Sequence, residues 1–188
     1  IPARFDGVFH EDVADSPLGN KEPAGGYHAV TGGWFDAGDY GQYLPNAAPV
    51  WYVIGAALDI AAQQFRDGDL DIPESGNGLP DLVDELEWGM DWALQMQDPV
   101  DGGVYFRITS ATWDGGLPHE VGKPRLIAEK TTHATAAFAA MAAIHARLLA
   151  KYRPARAATA LAAARHAWQF LQTQPQWPAE GERYHNPA

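Results

Sequence analysis

Residues 32–43 read GGWFDAGDYGQY, and within them Asp36 and Asp39 stand three apart among glycines and aromatic residues. Two carboxylates that close together in a loop can share one water molecule and take a proton from it, and activating water is the task of a hydrolase. Trp34, Phe35, Tyr40 and Tyr43 flank the pair, and their flat apolar faces suit stacking on sugar rings. Together they point to cleavage of a glycosidic bond. The competing reading is structural, because Asp beside Gly commonly bonds its own backbone in a turn.

More polar and aromatic residues gather in the long connection 98–130, DPVDGGVYFRITSATWDGGLPHEVGKPRLIAEK. Connections of this length inside compact domains are usually functional. Trp113 is the preferred sugar platform, since a large aromatic in a glycine-rich loop has little structural reason to be there. His119, beside Glu120, can hydrogen-bond a sugar hydroxyl, and Tyr40 joins these two as an expected substrate contact. The plainer alternatives are a surface histidine and a core tyrosine. His133 and His145 stand too far apart on one helix to share a metal, and are read as packed residues. The run RDGDLDIPES sets Asp67, Asp69 and Asp71 at alternate positions. Such alternation can collect oxygens around calcium, although the glycine and final glutamate of an EF-hand are missing. A solvated acidic turn is the plainer reading there, with a structural calcium ion as the alternative, and no cofactor is expected for catalysis.

Composition narrows the partners. The formal net charge is -11, so nucleic acid and anionic membranes are repelled, whereas a neutral polysaccharide imposes no charge requirement. The absence of cysteine removes disulfides, thiolate metal sites and thiol nucleophiles together. No phosphate loop, nucleophile elbow or paired-histidine zinc helix occurs, and no apolar run approaches the roughly 20 residues of a membrane span. The chemistry is left to carboxylates.

Helices must position them. Apolar residues at Val50, Ile54, Ala57, Leu58, Ala61 and Phe65 predict an amphipathic helix over 50–65, with Pro49 in its first turn. A second helix is predicted over 80–97, with Leu82, Val83, Leu86, Met90, Ala93 and Leu94 inward and Asp81, Asp84 and Glu85 favoured by the helix dipole. Thr132 is the expected cap of a third, reaching Tyr152 with Ala134, Phe138, Met141, His145 and Leu148 on one side. A fourth is predicted over 154–172 with Leu161, Ala164, Trp168 and Leu171 as its stripe. Residues 104–109 are the single strand-like piece, and 1–33 read as an irregular lead-in. One unit is expected over 1–188, all-α, with helical hairpins over 34–188.

Four segments in order, GGWFDAGDYGQY, IPESGNGLPDLVDELEWGMDWALQMQ, DGGVYFRIT and EKTTHATAAFAAMAAIHARLLAKY, resemble glycoside hydrolase family 9. The resemblance implies an (α/α)6 barrel and inverting hydrolysis of β-1,4-glucosidic bonds in cellulose or related β-glucans. By that match Asp39 is the general base and Asp36 its partner in holding the water; the family's general acid is a glutamate with no counterpart among these residues. Twelve helices of about 15 to 20 residues need well over roughly 250 residues, so the expectation is the N-terminal half of a catalytic domain whose remaining half is a partner. An extracellular or periplasmic location is expected, the signal lying outside this chain. Two alternatives stand beside it: an exo-acting hydrolase of another β-1,4 sugar such as glucosamine oligosaccharides, and a noncatalytic glycan-binding domain.

Overall fold

The computed structural model describes residues 30–110, 116–117, 125–128 and 130–174. Most of the lead-in, together with Trp113 and His119, lies outside the described residues. The elements run β1 (Gln42–Tyr43), α1 (Leu44–Ala61), α2 (Asp81–Gln95), β2 (Arg107–Ser110), β3 (Arg125–Ile127), α3 (Thr132–Leu149) and α4 (Pro154–Thr173), with a 3₁₀ turn at Ala62–Gln64.

α1 starts at Leu44 rather than Val50, with Pro45 in its first turn and Pro49 inside it. Pro49 lies past the first turn, where it forfeits the bond to the Pro45 carbonyl and its ring crowds that carbonyl. The buried positions are Leu44, Trp51, Gly55 and Leu58, and the expected stripe members Val50 and Ile54 are half-buried. Tyr52, Val53 and Ile60 point outward, 72%, 63% and 82% exposed. A helix apolar nearly all round is normally covered on several sides, and among the described residues α1 is covered on one.

α2 follows the prediction more closely. Pro80 is its N-cap, Asp81 and Asp84 sit in its first turn, and Val83, Leu86, Met90 and Ala93 are buried. Leu82 and Leu94 are half-buried, while Asp84, Glu87 and Trp92 join the buried set. In α3 the cap is Thr131, not Thr132: its hydroxyl accepts from the Ala134 N–H at 3.0 Å. Ala134, Phe138, Met141, His145 and Leu148 are buried as expected.

The predicted face of α4 is corrected. Ala157, Ala160, Ala164, Ala167 and Phe170 are buried, whereas Leu161 and Trp168 are 38% and 59% exposed. α4 packs on α3 through methyl groups, which let two backbones approach where leucine or tryptophan would hold them apart.

The strands form one antiparallel sheet in the order β1-β2-β3, with Tyr43 opposite Arg107 and Ile108 opposite both Gln42 and Ile127. Only β2 was expected, and Val104 and Tyr105 belong instead to isolated bridges with Gln97 and Lys130. The sheet fastens the chain leaving the carboxylate segment to the start of the long connection. Lys130 secures the other end of that connection, its ammonium lying 2.7 Å from Asp98 and 2.9 Å from Asp101. No helix among the described residues is long and apolar enough to cross a membrane.

Candidate active site

Residues 36–41 close into a tight turn through their own backbone. The Asp36 N–H donates to the Gly41 carbonyl at 2.7 Å, and the Tyr40 N–H donates to the Ala37 carbonyl at 3.0 Å. Asp36 is thereby set at the entrance of the turn and Asp39 near its tip. The Gly41 N–H donates to Asp39 Oδ1 at 3.1 Å, so the structural reading of Asp39 is realised for one of its oxygens. A side chain at Gly41 would lie 2.6 Å from the Tyr43 ring and 3.4 Å from that same Oδ1, which is why the position is glycine. Asn46, in the first turns of α1, donates from Nδ2 to Asp36 Oδ1 at 3.0 Å. Each aspartate is thus oriented through Oδ1, and neither Oδ2 accepts a hydrogen bond among the described residues. Asp36 is exposed and Asp39 partly exposed, as groups that receive water must be.

The approach to the turn is fixed from below. The Trp88 indole donates to the Gly33 carbonyl at 3.0 Å and the Gln42 amide donates to the Gly32 carbonyl at 2.6 Å. Gly33 has φ 78° and lies so close to Trp92 that a Cβ would sit 2.6 Å from the indole ring. Both the backbone conformation and the contact exclude larger residues there.

An open cleft of about 270 Å³ lies beside Asp36, lined by Trp34, Phe35, Asp36, Tyr43, Asn46, Ala47, Val50, Ile54 and Glu85. Three of these are aromatic residues of the motif, as stacking on sugar rings requires. Trp34 is held by its indole N–H, which donates to Glu85 Oε2 at 3.2 Å, and by its tilted packing on Trp51, centroids 5.3 Å apart. Tyr43 is held by Arg107, which donates from Nη1 to the tyrosine hydroxyl at 2.9 Å and lies 5.4 Å from the ring centroid. Tyr40 takes another course: its hydroxyl donates to the Gly116 carbonyl at 2.5 Å and its ring packs at 60° on Phe35.

Asp36, Asp39 and Tyr40 are therefore brought together, whereas Trp113 and His119 lie outside the described residues. Asp67, Asp69 and Asp71 do not converge on a cation. Both Asp67 oxygens accept backbone N–H groups, from Gly76 and Gly78. Asp69 accepts from the Arg66 N–H at 2.7 Å, and Asp71 is exposed. Among the described residues no three His, Asp or Glu side chains are grouped to hold a metal ion. These carboxylates order their own loop, helped by buried Asp81, which accepts from the Gly68 and Leu70 N–H groups and the Ser75 hydroxyl. Burial alone would raise the pKa of Asp81, but those bonds more than offset it and hold the carboxyl below its ordinary value.

Sequence reasoning missed Asn46, Glu85 and Arg107. Asn46 and Glu85 face the motif only once α1 and α2 are packed, and Arg107 meets Tyr43 only through the strand register. Beneath them four elements share one polar knot. The Trp51 indole donates to His145 Nδ1 at 3.3 Å, His145 Nε2 lies 3.9 Å from Glu87, and Glu87 is gripped by Arg153 at 2.6 Å and by Arg156. Burial, aided by the Arg156 charge, lowers the His145 pKa to about 4.

The family model for glycosyl hydrolase family 9 matches residues 6–187. A xyloglucan-specific endo-β-1,4-glucanase of Bacteroides ovatus is 34% identical over 171 residues, covering 89% of this chain and 29% of its own. A cellulose 1,4-β-cellobiosidase of Acetivibrio thermocellus is 40% identical over 166 residues, 80% of this chain and 18% of its own. The crystal structure of a metagenome-derived glycoside hydrolase family 9 endoglucanase superposes with a TM-score of 0.84 at 40% identity, covering 95% of this chain and 33% of that one. The chain thus spans about a third or less of the length of these relatives, and its four helices are part of an (α/α)6 barrel, the expected fold class. On the carboxylate turn, the helical hairpins and the match along nearly its whole length, the chain belongs to glycosyl hydrolase family 9.

Proposed function

We propose that this chain carries the water-activating side of an inverting hydrolase of β-1,4-glucosidic bonds in cellulose or a related β-glucan. The observation that carries the reading is the turn 36–41, which orients two carboxylates through their Oδ1 atoms and sets Asp36 in the lining of a cleft with Trp34, Phe35 and Tyr43. Asp39 acts as general base on the water and Asp36 as the second oxygen ligand that holds it. The base takes a proton from the water as its oxygen attacks the anomeric carbon, and a carboxylic acid on the opposite face protonates the departing oxygen. That acid is supplied by polypeptide outside these residues. The same remaining helices cover the outward face of α1, where Tyr52, Val53 and Ile60 are exposed.

The names of the relatives support the substrate class, since they refer to xyloglucan, cellulose and endo-β-1,4-glucanase activity. Nothing in them favours a glucosamine substrate or a noncatalytic role. A polymeric substrate, too large to enter a cell, supports the reading of an enzyme that works outside the cytoplasm. The test is Asp39→Asn in the intact enzyme, which retains oligosaccharide binding and loses hydrolysis by at least about 10³-fold if the base is removed. NMR of the wild-type products then shows the α-anomer first. Appreciable turnover by Asp39→Asn, or a β-anomer first product, rejects the mechanism.

A further inference from the structure

Three residues of the carboxylate turn occupy positions where backbone freedom would be useful: Gly38, Tyr40 and Gly41. The one in the left-handed region is the tyrosine, with φ 57°, and neither glycine is there. An aromatic L-residue is rarely found in that conformation, and asparagine or glycine would adopt it with less strain. Tyrosine at this position therefore calls for an account of what its side chain does.

That side chain is engaged away from the cleft. Its hydroxyl donates to the main-chain oxygen of Gly116 at 2.5 Å, 76 positions along the chain, and its ring packs on Phe35, one residue before Asp36. Its own N–H closes the turn on Ala37. Tyr40 is thus held through its main-chain N–H and through its side chain, and it is adjacent in sequence to Asp39. Cleft-lining aromatic residues are Trp34, Phe35 and Tyr43, without Tyr40. A sugar platform presents a face to the cleft, whereas a strut is held at both ends.

We infer that Tyr40 is a positioning residue: it locks the turn in its left-handed conformation through the bond to Gly116, and so sets Asp39 relative to Asp36 and couples the carboxylate turn to the long connection after β2. The inference rests on the function proposed above. Displacing a reacting group by about 1 Å can cost on the order of 10²-fold in rate, and the backbone of Asp39 is one peptide away from the locked residue.

The test is made in the intact enzyme on cellohexaose, with Asp39→Asn as reference, Tyr40→Phe to remove the Gly116 bond alone, and Tyr40→Gly to remove ring and strain together. Tyr40→Phe is expected to lower kcat about 10-fold with KM changed less than about 2-fold, the signature of a lost transition-state alignment. The acid limb of its kcat–pH profile should move as well, because the base is displaced. Tyr40→Gly is expected to lose roughly 10²-fold. A raised KM at unchanged kcat in Tyr40→Phe would make the residue a sugar contact and overturn the inference, as would unchanged kinetics in both variants. If Asp39→Asn remains active the proposed function itself fails; if it is dead while both Tyr40 variants are normal, the positioning role alone fails.

Discussion

Acid should weaken this fold through one side chain whose contribution can be isolated. His145 is 2% exposed, accepts the Trp51 indole N–H on Nδ1, and faces Glu87 on α2 and Arg156 on α4. Glu87 could stabilise a protonated imidazole, but it is already shared by Arg153 and Arg156, and the folded pKa falls from 6.5 to about 4. The unfolded chain, with the ordinary value, takes up a proton between pH 6.5 and 4 that the folded chain refuses. Stability from this residue is therefore intact above pH 6.5, falls as pH drops across that window, and levels off below about 4. At about 1.4 kcal/mol per pH unit, the loss between pH 7.5 and 4.5 comes to about 2.5 kcal/mol. Urea unfolding of the wild type and of His145→Gln over this range measures it. Glutamine can accept from Trp51 and does not titrate, and the many carboxylates contribute alike to both proteins. The wild type should lose about 2.5 kcal/mol more than the variant; parallel losses would refute the reasoning.

The other two expectations concern the support of the motif. Gly89→Ala should gain up to about 1 kcal/mol of helix propensity, yet its methyl would meet the Trp34 ring and a Trp51 ring carbon at 2.7 Å, an overpacking cost of about 1–3 kcal/mol. Calorimetry should show a lowered Tm, and a raised one would mean that the indoles move aside. Asn46→Ala removes the bond that orients Asp36 at an exposed site, so unfolding free energy should change by less than about 1 kcal/mol while kcat falls severalfold. An unchanged kcat would leave Asp36 without need of that support.

Much of the fold is legible along the chain because its signals are local. The periodicity of α2 and α3 lies within the segments that fold, so Val83, Leu86, Phe138 and Met141 are inward as read. The face of α4 was misread for the opposite reason. Hydrophobicity selects Leu161 and Trp168, but the face that packs on α3 is built mostly of small residues, Ala157, Ala160, Ala164 and Ala167. β1, at two residues, carries no period to detect, and exists because β2 lies beside it. Alternating aspartates at 67, 69 and 71 resemble a cation loop in one dimension, whereas in three Asp67 and Asp69 accept backbone N–H groups of their own loop and Asp71 is exposed.

The amino-acid sequence by itself determined that Asp36 and Asp39 stand together in a glycine and aromatic turn, because their spacing confines them to one loop whatever surrounds it. It also determined that long helices carry the chain, since helical periodicity is set by neighbours a turn away. Tertiary structure alone decided which oxygens of the pair are occupied, through Asn46 and Gly41. It alone joined Arg107 to Tyr43, Glu85 to Trp34, and Tyr40 to Gly116. Those contacts bridge residues 51 to 76 positions apart, and a bond across such a separation depends on how every intervening element packs.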